Sequence, residues 1–278
     1  MLAGLVLAAD PARVGVEPFF MELIAGMEEA LAPRGITVLL LVVPSVADEI
    51  GTYRRWASDH TVRAVVVVNL THDDPRPAVL AELGLPAVLA GRGDHPGFAR
   101  VVTDDAGALT VAVDVLSETG HRVIGRVTGP ADLVHTADRT AAMLAAAARH
   151  DIRVHLVEGD YSPESGIRGV TELLAATPPP TAIVFDNDVM AVAASRSGID
   201  VPAQVSLLVH DDSPLCELAV PPLAALSIDV HEHGRVLGRV ILDTLDGAPP
   251  REHPGPPVRV LRRASLAPIP APAPAPGP

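Results

Sequence analysis

The feature that most constrains this chain is an alternation repeated along most of its length. Short runs of valine, isoleucine and leucine are each followed by an amphipathic, alanine-rich stretch. This spacing predicts strands over 2–7, 36–42, 64–68, 87–90 and 100–102, with helices over 18–32, 47–59, 75–83 and 106–118. A second series predicts strands over 123–127, 153–157, 182–185, 205–209, 223–228 and 258–261. Its helices are expected over 136–149, 163–176, 189–195 and 232–245. The strands are apolar throughout instead of alternating, as parallel strands buried on both faces must be. The expected fold is therefore α/β, with two doubly wound parallel-sheet lobes that change over near residue 103 and a cleft between them.

Composition narrows the function. At 278 residues the chain can bury a large core without staples. Its 21 basic residues are all arginine, which excludes a Schiff-base lysine, a pyridoxal-phosphate lysine and a P-loop lysine. A single cysteine, Cys216, excludes an internal disulfide and any cysteine-built zinc or iron–sulfur site; it reads as a small buried hydrophobe. The net charge of -13 argues against the chain embracing a phosphate backbone by itself. The opening apolar run, 2–9, is far shorter than the ~20 residues of a spanning helix. It has no basic segment before it and meets Asp10-Pro11, so neither a membrane span nor a signal peptide is expected and the chain is placed in the cytoplasm. From 268 to 278 alanine alternates with proline, and a disordered Pro/Ala-rich C-terminal tail is expected.

In such folds ligands gather at the carboxyl ends of strands. After the first strand comes Asp10, then Glu17-Pro18-Phe19-Phe20. With only four Phe, two Tyr and one Trp in the chain, an adjacent pair at a helix start can stack on a ring-shaped ligand or simply staple the helix. Later strand ends carry Thr103-Asp104-Asp105, Thr128-Gly129-Pro130 followed by His135 and Arg139, Gly159-Asp160-Tyr161, Asp186-Asn187-Asp188, and His210-Asp211-Asp212. Any one of these reads as a helix cap, Asp105 and Asp188 above all. Together they suggest one rim of carboxylates, an amide, an arginine and an aromatic, suited to a polar small molecule. No GxSxG elbow or glycine-rich phosphate loop is present. His231-Glu232-His233 is read as surface, because residues two apart on a helix diverge. No metal, cofactor or catalytic set is expected.

Several stretches together resemble the lactose/galactose-repressor (LacI/GalR) family of bacterial transcription regulators, with purine-repressor-like motifs. They are Glu17-Pro18-Phe19-Phe20, Gly120-His121-Arg122-Val123-Ile124-Gly125, Thr128-Gly129-Pro130 and Glu158-Gly159-Asp160-Tyr161-Ser162-Pro163-Glu164-Ser165-Gly166. They continue with Pro180 through Ala191, Val201-Pro202, Asp211-Asp212 and Pro221-Pro222-Leu223. The resemblance implies a periplasmic-binding-protein-like (type I) fold with three crossovers, its lobes formed by 1–103 plus 229–254 and by 104–228 plus 255–267. It places effector contacts on Phe19, Phe20, Asp104, Arg139, Tyr161, Asn187 and Asp211, and the strand-end rim adds His135 to the candidate contacts. It implies an effector-sensing, non-enzymatic core that controls operator binding allosterically and forms a homodimer. The expected effector is a sugar, polyol or nucleoside-like molecule. The sequence departs from the family at Glu17, Asp105, Val209-His210 and Ile228, and the added acid points to a polyol or a cation on charge grounds. A transport-type solute receptor and an α/β hydrolase or isomerase are the alternatives. Family members carry a helix-turn-helix headpiece of about 60 residues before this core; with none seen before the first strand, this chain alone is expected to give no sequence-specific shift of operator DNA.

Overall fold

The computed structural model describes residues 1–9 and 18–269. Glu17, the Asp10-Pro11 turn and the expected tail from residue 270 lie outside the described residues. The first series runs β1 (Leu2–Ala8), α1 (Pro18–Leu31), β2 (Thr37–Val43), α2 (Val46–Ser58), β3 (Ala64–Val67), α3 (Arg76–Leu83), β4 (Ala87–Ala90) and β5 (Ala99–Val102). The second runs α4 (Asp105–Glu118), β6 (Val123–Thr128), α5 (Val134–Arg149), β7 (Arg153–Glu158), α6 (Pro163–Leu174), β8 (Ala182–Phe185), α7 (Asp188–Ser195), β9 (Ser206–His210), α8 (Pro214–Leu218) and β10 (Ala224–Ser227). Helix α9 (Val230–Leu245), β11 (Glu252–Pro254) and β12 (Arg259–Leu261) close the described chain.

Two six-stranded sheets result, in the orders β11-β5-β4-β3-β1-β2 and β12-β10-β9-β8-β6-β7. Among the described residues the chain passes between the sheets after β5, after β10 and after β11. Strands β1 and β3 pair in parallel, Ala3 opposite Ala64 and Leu5 opposite Val66, and neither face of β3 meets water. One face of the first sheet packs Leu5, Val66 and Val88 against Leu23, Met27 and Leu237 of α1 and α9. The other packs Val6, Val65 and Leu89 against Tyr53, Trp56 and Leu80 of α2 and α3. The second sheet is sandwiched the same way, with α4 and α5 on one side and α6, α7 and α8 on the other. Each such buried aliphatic side chain is worth ~1.5–3 kcal/mol. Among the described residues no helix is long and apolar enough to cross a membrane.

Two short elements escape the sequence pattern, and one strand runs against it. Helix α8 has only five residues, and β11 is a three-residue edge strand containing Glu252 and Pro254, too short and too polar to show a period. The last strand, β12, lies antiparallel to β10, so the second sheet is mixed at its edge. Residues 268 and 269, expected to belong to the tail, are placed beside α4: Ile269 donates its N–H to the Thr119 carbonyl at 2.8 Å.

Helices α1 and α9 cross closely because glycine lines the contact. A Cβ on Gly26 would stand 2.0 Å from the His231 carbonyl oxygen, and one on Gly234 would stand 2.1 Å from that of Leu23. Gly51, inside α2, has nothing within 4 Å of such a Cβ. Gly26→Ala is therefore expected to cost ~1–3 kcal/mol by prising the helices apart. Gly51→Ala is expected to gain up to ~1 kcal/mol through helix propensity. Urea unfolding of both variants checks the contrast, and equal effects would refute it.

Candidate functional site

The floor of the site is a buried ion pair. Arg126 interrupts the otherwise apolar β6 and meets Asp186, just past the end of β8, in a two-pronged contact: Nε to Oδ1 and Nη2 to Oδ2, both 2.7 Å. Neither side chain reaches solvent. The Arg126 Nη1 donates to Thr140 Oγ1 of α5 at 2.9 Å, and the Gly129 N–H donates to Asp186 Oδ2 at 3.0 Å. Burial works against the Asp186 charge, but Arg126 and the Gly129 N–H hold its carboxyl down at about 2. The pair thus ties the ends of β6 and β8 to α5. Arg126 went unremarked in the sequence, although a lone charge inside an apolar strand was there to be seen.

Above this floor the turns after β5, β6, β7 and β9 meet. Asp105, in the first turn of α4, takes Arg139 Nε at 2.7 Å and Nη2 at 2.6 Å, and accepts from Thr103 Oγ1 at 2.8 Å. Burial disfavours its charge, yet Arg139 beside it brings the carboxyl to about 2. His135, one turn before Arg139 on α5, pairs its Nε2 with the Tyr161 hydroxyl at 2.9 Å. Burial, helped by Arg139, lowers His135 to about 4. Tyr161 holds a left-handed backbone, φ 66°, and its carbonyl accepts from Asn187 Nδ2 at 3.1 Å. Its hydroxyl lies over Gly129, where a Cβ would stand 2.1 Å away, so only glycine fits there.

At the end of β9, His210 is buried with both ring nitrogens unpartnered. Its Nε2 is 3.9 Å from Asp105 Oδ1, and its Nδ1 is 3.3 Å from Asp211 Oδ1 without hydrogen-bond alignment. Asp211 Oδ1 is itself buried and unpartnered, and Asp211 has a left-handed backbone, φ 69°. From the other lobe α9 contributes His233, also with a buried, unpartnered Nδ1. Burial lowers His233 to about 4, against the pull of Asp211 and Asp105. Each unpartnered buried group costs ~1–3 kcal/mol, and native structures carry few of them. Their concentration between the lobes leaves several buried donors and acceptors free to bond a polar molecule. A gap on one flank, lined by residues including Leu70, Gly91, Asp105 and His135, holds about 10 Å³, space for about one water; this flank is shut.

The structure sorts the expected contacts. Arg139, His135, Tyr161 and Asp211 come together. Asp104 does not join them: it is exposed, and its Oδ1 caps α4 by accepting from Gly107 N at 2.9 Å. Of the adjacent aspartates the first caps and the second faces Arg139, because the helix begins between them and turns the second inward. Asn187 is the N-cap of α7, with Oδ1 accepting from Met190 N at 2.9 Å, and it acts on the site through Tyr161. Asp188, expected as a cap, follows the N-cap Asn187; its Oδ1 accepts from the Val189 N–H at 2.8 Å and its Oδ2 takes the Ser213 hydroxyl. Phe19 and Phe20 stack edge to face, centroids 5.3 Å apart and 87° between planes, half-buried against the first lobe's core. The surface reading of 231–233 holds for His231, which bridges Glu22 and Glu29 of α1 at 2.8 and 2.9 Å. It fails for His233, which faces inward. Cys216 is buried, and burial pushes its thiol up to about 12. Among the described residues no three His, Cys, Asp or Glu are grouped to hold a metal.

Comparison with known proteins agrees with this architecture. A family model described as a periplasmic binding protein-like domain matches residues 113–266. The HTH-type transcriptional regulator CelR of Thermobifida fusca is 32% identical over 256 residues, spanning 87% of this chain and 74% of its own length. The crystal structure of a LacI family transcriptional regulator from Bifidobacterium animalis subsp. lactis superposes with a TM-score of 0.86 at 32% identity, covering 96% of this chain and 98% of that one. A transcriptional regulator CelR–cellobiose complex superposes with a TM-score of 0.87 at 28% identity, covering 95% and 84%.

His135 and His233, ordinarily near 6.5, sit at about 4 in the folded chain. Between those values the unfolded chain binds protons at these positions that the folded chain refuses, so stability is full above the upper value and falls as pH drops through the window. Urea unfolding between pH 7 and pH 4.5 is expected to show this loss. The His135→Gln/His233→Gln double variant is expected to flatten the profile by up to about two protons. A profile unchanged in the double variant would exclude the assignment.

Proposed function

The chain belongs to the LacI family of transcriptional regulators, and from that premise we propose that its cleft senses an uncharged sugar-like effector. The observation that carries this reading is the set of unpartnered polar atoms of Asp211, His210 and His233. Charge selects among ligands. Arg139 offsets Asp105 and Arg126 offsets Asp186, while His135 and His233 are neutral at ordinary pH, leaving Asp211 as the uncompensated group. An anion meets a net negative wall there; a polyol offers hydroxyls that donate to a carboxylate and both donate to and accept from neutral imidazoles. The cellobiose complex of a related regulator supports the same class. A sensor of this kind returns its ligand unchanged and transmits binding through lobe closure to operator DNA.

The lobes in this reading comprise 1–103 plus 229–254 and 104–228 plus 255–267, and the setting is the cytoplasm. A second copy of the chain is the expected partner: Leu218 and Val220, two residues apart at the end of α8, stand 76% and 86% exposed on the second lobe.

A thermal-shift screen over cellobiose, glucose, polyols and nucleosides tests the proposal. A ligand at 100 times its dissociation constant adds about 2.7 kcal/mol. Asp211→Ala, which removes an oxygen without a protein partner, is expected to weaken binding about 10- to 100-fold at a stability cost of ~1 kcal/mol, since alanine fits the left-handed backbone there less well than aspartate. Arg139→Ala is expected to lose binding and stability together, since it strands Asp105. A flat response to every sugar and polyol, or calorimetry showing unchanged affinity in both variants, would overturn the reading.

A further inference from the structure

A second buried ionic cluster lies away from the site, in the first lobe. Arg76, at the start of α3, spends its whole guanidinium on three neighbours. Nε and Nη2 take Asp74, at 3.0 Å to Oδ1 and 2.6 Å to Oδ2. Nη1 takes both oxygens of Glu49 of α2, at 3.1 Å, and Nη2 also donates to the Asn69 carbonyl at 2.8 Å. The buried Tyr53 hydroxyl donates to the same Glu49 carboxylate. Asp74 in turn accepts from the Thr71 N–H at 3.2 Å. Glu49 anchors Arg76 to α2, and through Asp74 and the Asn69 carbonyl Arg76 grips the segment 69–74, which also carries left-handed residues at Asn69 and Asp73, φ 51° and 55°. Left-handed backbone at non-glycine residues costs energy and persists only where surroundings impose it.

That fixed segment reaches the other lobe. The Val134 N–H donates to the Leu70 carbonyl at 2.9 Å, the His72 N–H donates to the Asp132 carbonyl at 3.3 Å, and Thr71 and Leu133 form an antiparallel bridge. Val134 also packs into the first lobe's core cluster, which contains Leu70. Val134 is the first residue of α5, and Leu133 before it offers no side-chain cap. The opening donor of α5 is thus satisfied by a carbonyl of the opposite lobe. The next residue is His135, and Arg139 follows one turn later.

We propose that Arg76 is a positioning residue for the cleft: by holding 69–74 rigid it makes that segment a strap, which caps α5 from across the lobes and sets His135 and Arg139 only when the lobes are together. The cap and the strap stand on geometry alone; only the last step, to the ligand contacts, rests on the effector-site reading.

Hydrogen exchange on the ligand-free protein tests it. Loss of a helix cap costs ~1 kcal/mol, up to ~2, so Arg76→Gln is expected to speed exchange at Val134 about 5- to 30-fold more than at the amides of β6, β8 and β9, which register only the general destabilisation from stranding Glu49 and Asp74. Directly opposed residues of an antiparallel bridge lie ~4.5–5.5 Å apart at Cα, within disulfide range. The oxidised Thr71→Cys/Leu133→Cys cross-link is therefore expected to restore Val134 protection in the Arg76→Gln background, and its reduction to remove it. Should Arg76→Gln fail to fold, the cross-link in the otherwise native chain serves, oxidation slowing Val134 exchange relative to the reduced form. Unchanged exchange at Val134, uniform loosening of the second sheet, or a cross-link that fails to form or to restore protection would overturn the proposal. Absence of sugar binding would sink the effector reading and leave these measurements standing.

Discussion

The Arg126–Asp186 pair is the interaction on which the site's geometry depends. Both groups are wholly out of water, and removing either partner would leave a bare buried charge, a cost of ~3–5 kcal/mol. A well-packed apolar pair could supply comparable stability in their place. What an apolar pair could not supply is direction. The guanidinium reaches Thr140 of α5, and the carboxylate reaches the Gly129 N–H, so two strands, a turn and a helix are fixed by one contact. Gly129 then sets how near Tyr161 can come, and Tyr161 meets His135 on the same helix. The chain of constraint closes on itself around the cleft.

The two lobes contribute unequally. The second supplies Asp105, Arg139, Tyr161, His210 and Asp211, all mounted on a scaffold tied down by that pair. The first supplies His233 and, through the segment held by Arg76, the cap on α5. A helix end without a cap leaves orphan donors that something must satisfy. Here the supplier is the opposing lobe, so the order of the helix bearing His135 and Arg139 depends on the approach of the two halves. This gives lobe closure a local structural consequence, which an effector bound between the lobes can exploit through its differential affinity for the two states.

Much of the fold was legible before any coordinates. Buried parallel strands must be apolar on both faces, and that requirement writes itself into unbroken valine and leucine runs such as 64–67. The elements that escaped, α8 and β11, are too short for periodicity to register, and the antiparallel sense of β12 leaves no mark in composition. The site was half legible. Polar residues after apolar strands pointed to the rim, because a strand's end is where a parallel sheet must release its polar groups. The cap was expected at Asp105 and is found at Asp104, since two adjacent aspartates accept hydrogen bonds equally well and only the point where the helix begins separates them.

What the sequence determined by itself was the class of fold, the exclusion of lysine chemistry, of an internal disulfide and of cysteine-built metal sites, and the neighbourhood of the cleft, all of which follow from local periodicity and residue identity. The tertiary structure decided the rest: that Arg126 belongs with Asp186, sixty residues on, that His233 faces in while His231 faces out, and that a carbonyl at Leu70 finishes a helix beginning at Val134. Each of these joins residues far apart in the chain, or depends on which way a helix face turns once packed. Burial and pairing of that kind are properties of the assembled layers, and no local stretch of sequence carries them.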